Sequence, residues 1–452
     1  MERLFDHLSD EHTEVNWMMK VKLKQIAMKA KQDKRVKFNA LMHHINEANL
    51  ADCYRDLKRN KACGIDGVTV EAYGKDLEEN LKRLVSSLKN KSYRPKAVRR
   101  VYIPKPGKEE KRGLGIPSVE DKLVQMMLKT LLERIYEADF LDQSYGFRPG
   151  LSCHDAIKAL DTAVMTKPVN YIVEVDIRKY FDTVNHYWLQ RCLEERISDP
   201  NILWLVRRFL KAGVMEEGKL LSSNVGTPQG GVISPLLANI YLHYVLDLWF
   251  EKKIRLKSTG HMALIRYCDD FVVCCESKHD ANIFLETLKQ RLSTFNLAVA
   301  EDKTQVLKFG RRAWQLARKH KEKVATFNFL GFTHYCTRSR RGKFIMGHKT
   351  SKENLSRKLK ETKIWLKKVR NQRRLREWWP ILKAKLRGHY NYFGISGNYH
   401  CLQQYYKATM WMVFKWINRR SQRKSMTFDQ YLKYLEYNPL PRPRICYALY
   451  SF

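Results

Sequence analysis

The chain lacks several features that would assign it to common protein classes. Its 452 residues contain no run of about eighteen apolar residues, so no membrane-spanning helix is predicted. Residues 1–6 lack a cationic start followed by an apolar stretch, so no secretory signal is expected. The ten cysteines include no C-x₂-C pair and no matching histidine cluster, which argues against a zinc site and a disulfide framework. We therefore expect a cytoplasmic protein with free thiols and no membrane partner.

Acidic residues are scarce relative to basic ones. The chain has 84 Lys and Arg against 47 Asp and Glu, a net charge of +37, while its hydrophobic fraction of 44% is ordinary for a globular protein. Residues 349–424 carry 21 basic and 3 acidic residues, about half of the surplus in a sixth of the chain. Such a concentration of positive charge favours a polyanionic partner, with nucleic acid as the leading candidate. A charge that only aids solubility is the weaker alternative.

Two adjacent aspartates stand in the turn of a predicted β-hairpin. The motif Tyr267-Cys268-Asp269-Asp270 lies between two apolar runs, although an aspartate pair in a solvated turn is common and by itself says little. A third aspartate, Asp176, ends a buried-strand pattern at 171–175. If the two strands are neighbours in one sheet, three carboxylates face one another. Bare anions do not tolerate that arrangement, but it suits a pair of Mg²⁺ ions bridged by nucleotide phosphates.

Alternating helical and strand patterns predict an α+β domain between 151 and about 345. The predicted elements are helices near 153–166, 186–210, 235–252 and 279–295, strands at 171–176, 304–309 and 327–335, and a hairpin at 263–275. The pair Ser234-Pro235 predicts a helix start, with serine as the cap and proline at the first helical position.

Two segments outside this region carry basic charge. Residues 1–40 have a helical, basic pattern that an exposed helix face and an RNA contact explain about equally well. Strand patterns at 98–104 and 114–117 flank a charged loop from Lys105 to Arg112, which predicts a hairpin with cations at its tip.

From about residue 346 onward, apolar residues recur at helical spacing opposite lysines. This pattern predicts amphipathic helices with a basic face. The cations expected to contact nucleic acid are Lys352, Lys358, Lys367, Lys368 and Arg387. Aromatic residues interleaved between Trp365 and Trp416 are expected mainly to form the core of a helical bundle, with base stacking as the alternative.

Seven short motifs follow one another in order along the chain. They are Asn60 to Gly67, Ile103 to Pro106, Ser144 to Pro149, Asp176 to Phe181 with Asn185-His186, Gly226 to Gly231 through Ser234 to Asn239, Tyr267 to Asp270, and Phe329 to Phe332. Any one could arise by chance, but seven in order should not. On these motifs the chain, over residues 40–452, resembles the reverse transcriptases encoded by group II introns, also called maturases, of the type that lacks an endonuclease domain.

The resemblance implies an α+β right-hand polymerase fold, with fingers, a palm that contains a ferredoxin-like sheet, and an all-helical basic thumb. The implied division is an N-terminal helical basic extension at 1–40, fingers at 41–150, a palm with part of the fingers at 151–345, a thumb or maturase (X) domain at 346–420, and a short DNA-binding-like tail at 421–452. No nuclease domain is expected after this tail.

The resemblance also implies the metal site. Asp176, Asp269 and Asp270 are the implied catalytic residues and metal ligands, and the backbone carbonyl of Ile177 is a further implied ligand. Two Mg²⁺ ions would bind there, with Mn²⁺ as a possible substitute. One metal lowers the pKa of the primer hydroxyl, and the second holds the triphosphate and neutralises the leaving pyrophosphate.

Further residues are implied to contact the incoming dNTP. Lys105 and Arg112 would grip its phosphates, with a solubilising hairpin as the alternative. Gln229, in a glycine-rich turn before a helix, would approach the nucleotide closely, with a simple loop-to-helix connection as the alternative. Lys303 would lie near the triphosphate, while an ordinary surface pair with the adjacent Asp302 explains it equally well.

Three further residues are implied to select the sugar and support the primer. Phe181 would collide with a ribose 2′-OH and so select deoxynucleotides, whereas the alternative is an aromatic residue of the core. Leu330 and Gly331 would form the primer-grip hairpin, in which glycine lets the backbone approach nucleic acid, whereas the alternative is a generic strand with an apolar face.

The activity implied is RNA-directed DNA polymerisation with intron RNA binding and splicing. The implied partners are an RNA template, intron RNA, a DNA primer or target, and dNTPs, in a bacterial cytoplasm and associated with the nucleoid or a ribonucleoprotein. Two alternatives stay open: a host-adopted reverse transcriptase for repair or defence without an intron, and a mainly RNA-binding splicing cofactor. The oligomeric state, monomer or dimer, is open as well.

Overall fold

The described part of the chain forms helices and three β-sheets. The computed structural model describes residues 21–104, 111–216, 219–221, 226, 230–419 and 425–449. The helices are α1 (21–32), α2 (Glu47–Arg55), α3 (Val70–Tyr73), α4 (Leu77–Lys89), α5 (Val119–Tyr136), α6 (Cys153–Thr166), α7 (Tyr180–Thr183), α8 (His186–Glu194), α9 (Pro200–Lys211), α10 (Ser234–Leu242), α11 (Lys278–Thr294), α12 (Arg311–His320), α13 (Lys352–Gln372), α14 (Leu375–Phe393), α15 (Tyr399–Ile417) and α16 (Phe428–Tyr437). The strands are β1 (Val98–Pro104), β2 (Lys111–Ile116), β3 (Tyr171–Asp176), β4 (Val214–Glu216), β5 (Lys219–Leu221), β6 (Met262–Tyr267), β7 (Asp270–Cys275), β8 (Gln305–Lys308), β9 (Phe327–Phe329), β10 (Phe332–Arg338) and β11 (Phe344–Thr350).

The central sheet has the strand order β6-β7-β3-β8, and each neighbouring pair is antiparallel. Both of its faces are covered. Val173 and Val273 belong to the largest core, which includes residues of α11, while Ile172 and Cys274 pack in a second core with residues of α6. Strands buried on two faces have continuous apolar runs, which explains why the sequence pattern here does not alternate. The α+β class expected from the sequence is confirmed.

A second sheet has the order β2-β1-β4-β5. Strands β1 and β2 form the hairpin that the sequence predicts, with β1 also parallel to β4. The return strand begins at Lys111, earlier than expected, so Arg112 lies within β2 opposite Ile103 and not in the loop. The reason is that strand pairing continues up to Pro104 and Lys111. The tip at 105–110 lies outside the described residues.

The third sheet, β11-β10-β9, connects the central region to the C-terminal helices. Phe332 of β10 packs in one core with aromatic residues of α14 and α15, including the buried Trp378 and Tyr405. The expectation that the aromatic residues chiefly form a bundle core is therefore confirmed. Trp411 is an exception, since it is 60% exposed and stacks on Phe428.

Two helix predictions are corrected. The segment 186–210 is two helices, α8 and α9, instead of one, because Pro200 cannot continue a helix and Asp199 caps the new one through the N–H groups of Asn201 and Ile202. Ser234 is the first residue of α10 and not its cap. Beyond α10 the helix continues in π-helical turns at His243–Asp247 and Phe250–Ile254.

The strand predicted at 327–335 is interrupted, because Leu330 and Gly331 both have a positive φ and form the turn between β9 and β10. Helix α12 and strand β11 were not predicted. The expected boundary between 345 and 346 falls within β11, and the division into domains stays a prediction. Among the described helices, we find none with the length and apolar character needed to cross a membrane.

Candidate active site

The end of β3 and the turn between β6 and β7 meet at one edge of the central sheet. Asp176 is the register partner of Asp270, and Asp270 also pairs with Tyr267. Directly opposed residues on antiparallel strands have Cβ atoms about 4.5–5.5 Å apart. Cys268 and Asp269 are the two turn residues, and Cys268 has a φ of 60°, which suits a two-residue hairpin turn. The structure therefore brings Asp176 and Asp270 together, with Asp269 beside them.

The Asp270 carboxylate lies in a negative environment. Its pKa is raised to about 7, first by desolvation and then by the charges of Asp269, Asp176 and Glu174. A hydrogen bond from the Leu330 backbone N–H opposes the shift, because it favours the ionised form. Ionising all of these carboxylates together is costly unless cations are present.

Lys303 supplies one such cation. Its ammonium group pairs with the Asp176 carboxylate, and this bond is the largest cause of its raised pKa. The backbone carbonyl of Asp176 accepts a hydrogen bond from Ala300 (2.7 Å), which holds the segment before Lys303 against the end of β3. Lys303 was expected either to lie near the triphosphate or to pair with Asp302. The ion pair observed is with Asp176 and not with Asp302.

The carboxylates at this edge can be compared with the ligands that a divalent metal prefers. Within the described ranges, no group of three or more His, Cys, Asp or Glu side chains is arranged so that it could hold a metal ion as it stands. The residues nevertheless fit in kind, since Asp176 and Asp270 are opposed carboxylates that are rich in oxygen donors and short of positive charge. Asp176 would have to exchange Lys303 for the metal. The roles of all three aspartates as ligands stay predictions.

Ile177 continues from Asp176 as a buried residue. It forms an isolated antiparallel bridge with Val299, and its side chain is 2% exposed. The neighbouring Arg178 donates its backbone N–H to Ala298. The proposed use of the Ile177 carbonyl as a metal ligand is untested.

Phe181 lies in the short helix α7, which follows Lys179 in the left-handed conformation. The ring is partly buried against the main core and contacts Tyr180 edge to face. Gly226, with a φ of +89°, lies so close that a Cβ there would be 3.0 Å from the Phe181 carbonyl oxygen. The glycine-rich segment therefore begins beside Phe181, as close backbone approach requires.

Two of the predicted nucleotide-binding residues, Lys105 and Gln229, lie outside the described residues. For Arg112 only the backbone is described. Next to Gln229, Gly230 has a φ of +109°, and a Cβ there would lie 2.4 Å from the carbonyl oxygen of Gly115 in β2. Gly230 is therefore packed against the strand that carries Arg112.

The edge of the central sheet that carries Asp176 and Asp270 is the acidic edge. The turn at Leu330 and Gly331 connects it to the C-terminal helices. The Leu330 N–H donates to Asp270, and its carbonyl accepts a hydrogen bond from the Tyr392 hydroxyl (3.0 Å). The Gly331 carbonyl accepts one from the Ser351 N–H (3.1 Å). Of the two predicted primer-grip residues, Leu330 is thus hydrogen-bonded to the Asp270 carboxylate, while contact with a primer stays a prediction.

The predicted nucleic-acid-binding cations lie on α13 and α14. Lys352, Lys367, Lys368 and Arg387 are exposed. Lys358 is partly exposed and pairs with Glu361 (3.0 Å), at a cavity of about 440 Å³ that Gly331 also lines. Exposed cations are available to phosphates, and contact of these residues with nucleic acid stays a prediction.

The turn at Cys268 and Asp269 is the acidic turn. The sequence did not reveal a buried polar cluster that contacts it. Arg266 and Asp247 are fully buried and form an ion pair, and Ser144 and Asn239 bind the same guanidinium. Ser144 and Asn239 lie inside motifs that were recognised, but no role was assigned to them. An arginine within the apolar pattern of β6 was the available signal, since a buried charge requires partners.

In the absence of divalent metal, Asp270→Asn is expected to raise the melting temperature at pH 8 by roughly 2–6 °C. The folded-state pKa of Asp270 lies above its ordinary value of 3.8, so its stabilising contribution is complete below about pH 4 and is lost as the pH rises through about 7. Asparagine does not ionise and avoids this loss. Thermal unfolding in EDTA at pH 5 and pH 8 checks the result, with the exposed Asp302→Asn as the control. An equal shift at both pH values would contradict it.

Comparison with known proteins gives the family. Residues 103–334, about half of the chain, match the family described as reverse transcriptase (RNA-dependent DNA polymerase). The group II intron-encoded protein LtrA of Lactococcus lactis is 29% identical over 434 residues, covering 78% of this chain and 69% of the relative. Protein YkfC of Escherichia coli is 34% identical over 282 residues, covering 55% of this chain and 74% of the relative. The putative COX1/OXI3 intron 1 protein of Saccharomyces cerevisiae is 28% identical over 315 residues, covering 59% of this chain and 37% of the relative.

These matches confirm the resemblance that the motifs indicated. They cover the acidic edge, the turn at Leu330 and the glycine-rich segment within one family match. The chain belongs to the reverse transcriptase family, as a member of the group II intron-encoded reverse transcriptases and maturases, and is an RNA-directed DNA polymerase.

Proposed function

We propose that this enzyme transfers dNTPs to a primer 3′ end by a two-metal mechanism at Asp176, Asp269 and Asp270. The single observation that carries the proposal is the register of β3 and β7, which sets Asp176 directly opposite Asp270 with Asp269 in the adjacent turn. Reverse transcriptases use divalent metals, usually Mg²⁺. Two such ions, when bound, would activate the primer hydroxyl and neutralise the leaving pyrophosphate.

Residues of the chain itself determine the charge at this site. The carboxylates of Asp176 and Asp270 must be ionised to act as ligands, and the raised pKa of Asp270 means that cations have to favour that form. The Ile177 carbonyl is proposed as a further ligand. Lys303 compensates the Asp176 charge in the structure, and we propose that it moves to the triphosphate when nucleotide enters.

Further nucleotide contacts are proposed for Lys105, Arg112 and Gln229. Lys105 and Arg112 bind the triphosphate, and Gln229 approaches the nucleotide from the glycine-rich turn. The close approach of Gly230 to Gly115 supports the assignments of Arg112 and Gln229, because Gly230 follows Gln229 in the chain and Gly115 lies in the same strand as Arg112. Phosphate oxygens match guanidinium and ammonium donors.

The proposed polymerase has a right-hand arrangement. The fingers comprise 41–150, the palm 151–345 and the thumb 346–420, with the segments 1–40 and 421–452 as a basic extension and a DNA-binding-like tail. The primer end would rest on Leu330 and Gly331, and a template–primer duplex would lie along the cations of α13 and α14. Support comes from the hydrogen bond of Leu330 to Asp270, which joins the primer support to the acidic edge.

We further propose that the enzyme binds intron RNA and assists splicing, and that it copies RNA from a primed DNA target. The support is the similarity to intron-encoded relatives and the net charge of +37. A bacterial cytoplasmic setting, in a ribonucleoprotein or with the nucleoid, is compatible with the Lactococcus relative.

Primer extension on a primed RNA template, with dNTPs and NTPs in Mg²⁺, tests the proposal. The wild-type chain is expected to add dNTPs and discriminate against NTPs. Phe181→Ala is expected to raise the relative use of NTPs by about 10–100-fold, because the smaller side chain leaves room for the 2′-OH. Single-nucleotide kinetics give the ratio of kcat/KM for the two sugars.

Phe181→Tyr is the matched control, since it retains the ring and should retain the selectivity. The assignment of Phe181 to sugar selection would be contradicted if Phe181→Ala kept the wild-type preference for dNTPs. A wild-type chain that extends neither RNA- nor DNA-templated primers would contradict the proposed mechanism.

A further inference from the structure

Arg266 is fully buried in β6, one residue before the motif that contains the acidic turn. Its cross-strand partner is Phe271. A buried charge is costly unless it is paired and its hydrogen-bond donors are satisfied. The groups that bind this guanidinium therefore indicate its role.

Each of the five N–H groups of the guanidinium has an acceptor. Nε and Nη2 donate to the two carboxylate oxygens of Asp247 (2.8 and 2.5 Å), and Nη2 also donates to the Ser144 hydroxyl (2.7 Å). Nη1 donates to the Asn239 side-chain oxygen and to the Cys268 backbone carbonyl (3.0 Å each). A planar guanidinium with all donors occupied has one orientation, so its acceptors are held in fixed relative positions.

The side-chain acceptors come from two segments of the chain, residues 143–146 and the helix that runs from α10 into the π-helical turn at His243–Asp247. Ser144 comes from a segment that forms an isolated parallel bridge with β6, in which the Arg266 N–H donates to the Gln143 carbonyl and the Tyr145 N–H donates to the Arg266 carbonyl. Asn239 is in α10 and donates its side-chain N–H to the Gly146 carbonyl. Asp247 ends a π-helical turn, a distortion often found near functional sites.

The fit against the acidic turn is close. A Cβ on Gly146 would lie 2.5 Å from the backbone nitrogen of Cys268, so no side chain fits there. Cys268 itself is a non-glycine residue with a φ of 60° and is 3% exposed. Its carbonyl, bound by Arg266, belongs to the peptide that joins Cys268 to Asp269. The orientation of that peptide sets the direction in which the Asp269 side chain leaves the turn.

We propose that Arg266, held by Asp247, is a positioning residue that keeps the carboxylates of Asp269 and Asp270 directed at Asp176. The inference rests on the proposed metal site at these aspartates. A buried ion pair is weak support for stability, because apolar replacements are often as stable. A guanidinium that joins both segments to one peptide of the turn is instead suited to fixing geometry.

Arg266→Lys tests the proposal in the full-length chain. Lysine retains the charge but has three donors on a flexible stem and cannot reproduce the five bonds. Binding of Mn²⁺ without nucleic acid or dNTP, measured by electron paramagnetic resonance, is expected to weaken about 10-fold or more. The kcat for dNTP addition is expected to fall about 100-fold, with KM for dNTP and affinity for primed RNA within about twofold of wild type.

Arg196→Lys is the matched control, because Arg196 forms another buried ion pair, with Asp139, and binds the Ala30 carbonyl instead of the acidic turn. It should lower the melting temperature without changing Mn²⁺ affinity. Ser144→Ala is a milder second variant that removes one hydrogen bond from Arg266. It is expected to weaken Mn²⁺ binding about threefold to tenfold, and it carries the test if Arg266→Lys does not fold.

The outcomes separate the two levels of inference. If wild-type Mn²⁺ binding depends on Asp269 but Arg266→Lys and Ser144→Ala bind Mn²⁺ as the wild type does, the positioning role is overturned and the proposed metal site stands. If the wild-type chain shows no Mn²⁺ binding that depends on Asp269, the proposed metal site is overturned and this inference fails with it.

Discussion

Asp269→Ala is expected to reduce Mg²⁺-dependent dNTP addition on a primed RNA template by at least roughly 1,000-fold. Asp269 is in the turn next to the opposed pair Asp176 and Asp270, and its charge is one cause of the raised pKa of Asp270. Removing it takes away a metal ligand in the proposed mechanism. It also removes a negative charge that repels phosphate, so affinity for the template–primer should stay nearly unchanged.

Single-turnover primer extension and equilibrium binding of the same primed RNA separate these two effects. Asp302→Ala is the matched control, since Asp302 is an exposed aspartate near the site that belongs to no proposed ligand set. It should extend primers as the wild type does. Retained extension by Asp269→Ala in Mg²⁺ would contradict the metal assignment, and a parallel loss of RNA binding would indicate a folding defect instead.

The second large effect is expected from the basic face of α13 and α14. Changing Lys352, Lys367, Lys368 and Arg387 together to glutamine should weaken template–primer binding about 100-fold at 200 mM salt. The slope of log K against log salt should become shallower by about 3, because four phosphate contacts no longer release counterions. Equilibrium binding over a range of salt concentrations measures both quantities.

Deletion of the C-terminal helices would expose the core that they share with Phe332 and Ile157, whereas the four substitutions lie on the exposed face and leave that core intact. A control with the same loss of charge replaces the exposed Lys252, Lys253, Lys257 and Lys278. The proposed grip on α13 and α14 would be contradicted if both quadruple variants changed the slope equally, or if neither did.

Much of the central sheet could be predicted from the sequence. The runs at 171–175 and 271–275, each next to an aspartate, were apolar enough to show buried strands, although Glu174 interrupts the first. The basic amphipathic pattern predicted α13. Where prediction failed, a local break in the chain was overlooked because the apolar pattern continued across it. Asp199-Pro200 broke a helix that periodicity favoured, and the turn at Leu330 divided a strand whose apolar pattern continued through it.

Electrostatic partners were less predictable. From the sequence, Asp302 is as good a candidate partner for Lys303 as any distant acid. Only the fold shows that the partner within reach is Asp176. The same holds for Arg266, whose acceptors Ser144 and Asp247 are separated from it by 122 and 19 residues. Sequence alone identifies a charged residue in an apolar strand but not the groups that compensate it.

By itself, the sequence determined the family, the polymerase activity and the identity of the acidic residues, because motifs and charge are properties of residue type and order. Only the tertiary structure decided that Asp176 is opposite Asp270, that Lys303 pairs with Asp176, and that Arg266 holds the Cys268 peptide. Those relations depend on strand register and on which distant groups share a desolvated volume. In that volume an unpaired charge is expensive, so packing, and not proximity along the chain, selects the partners.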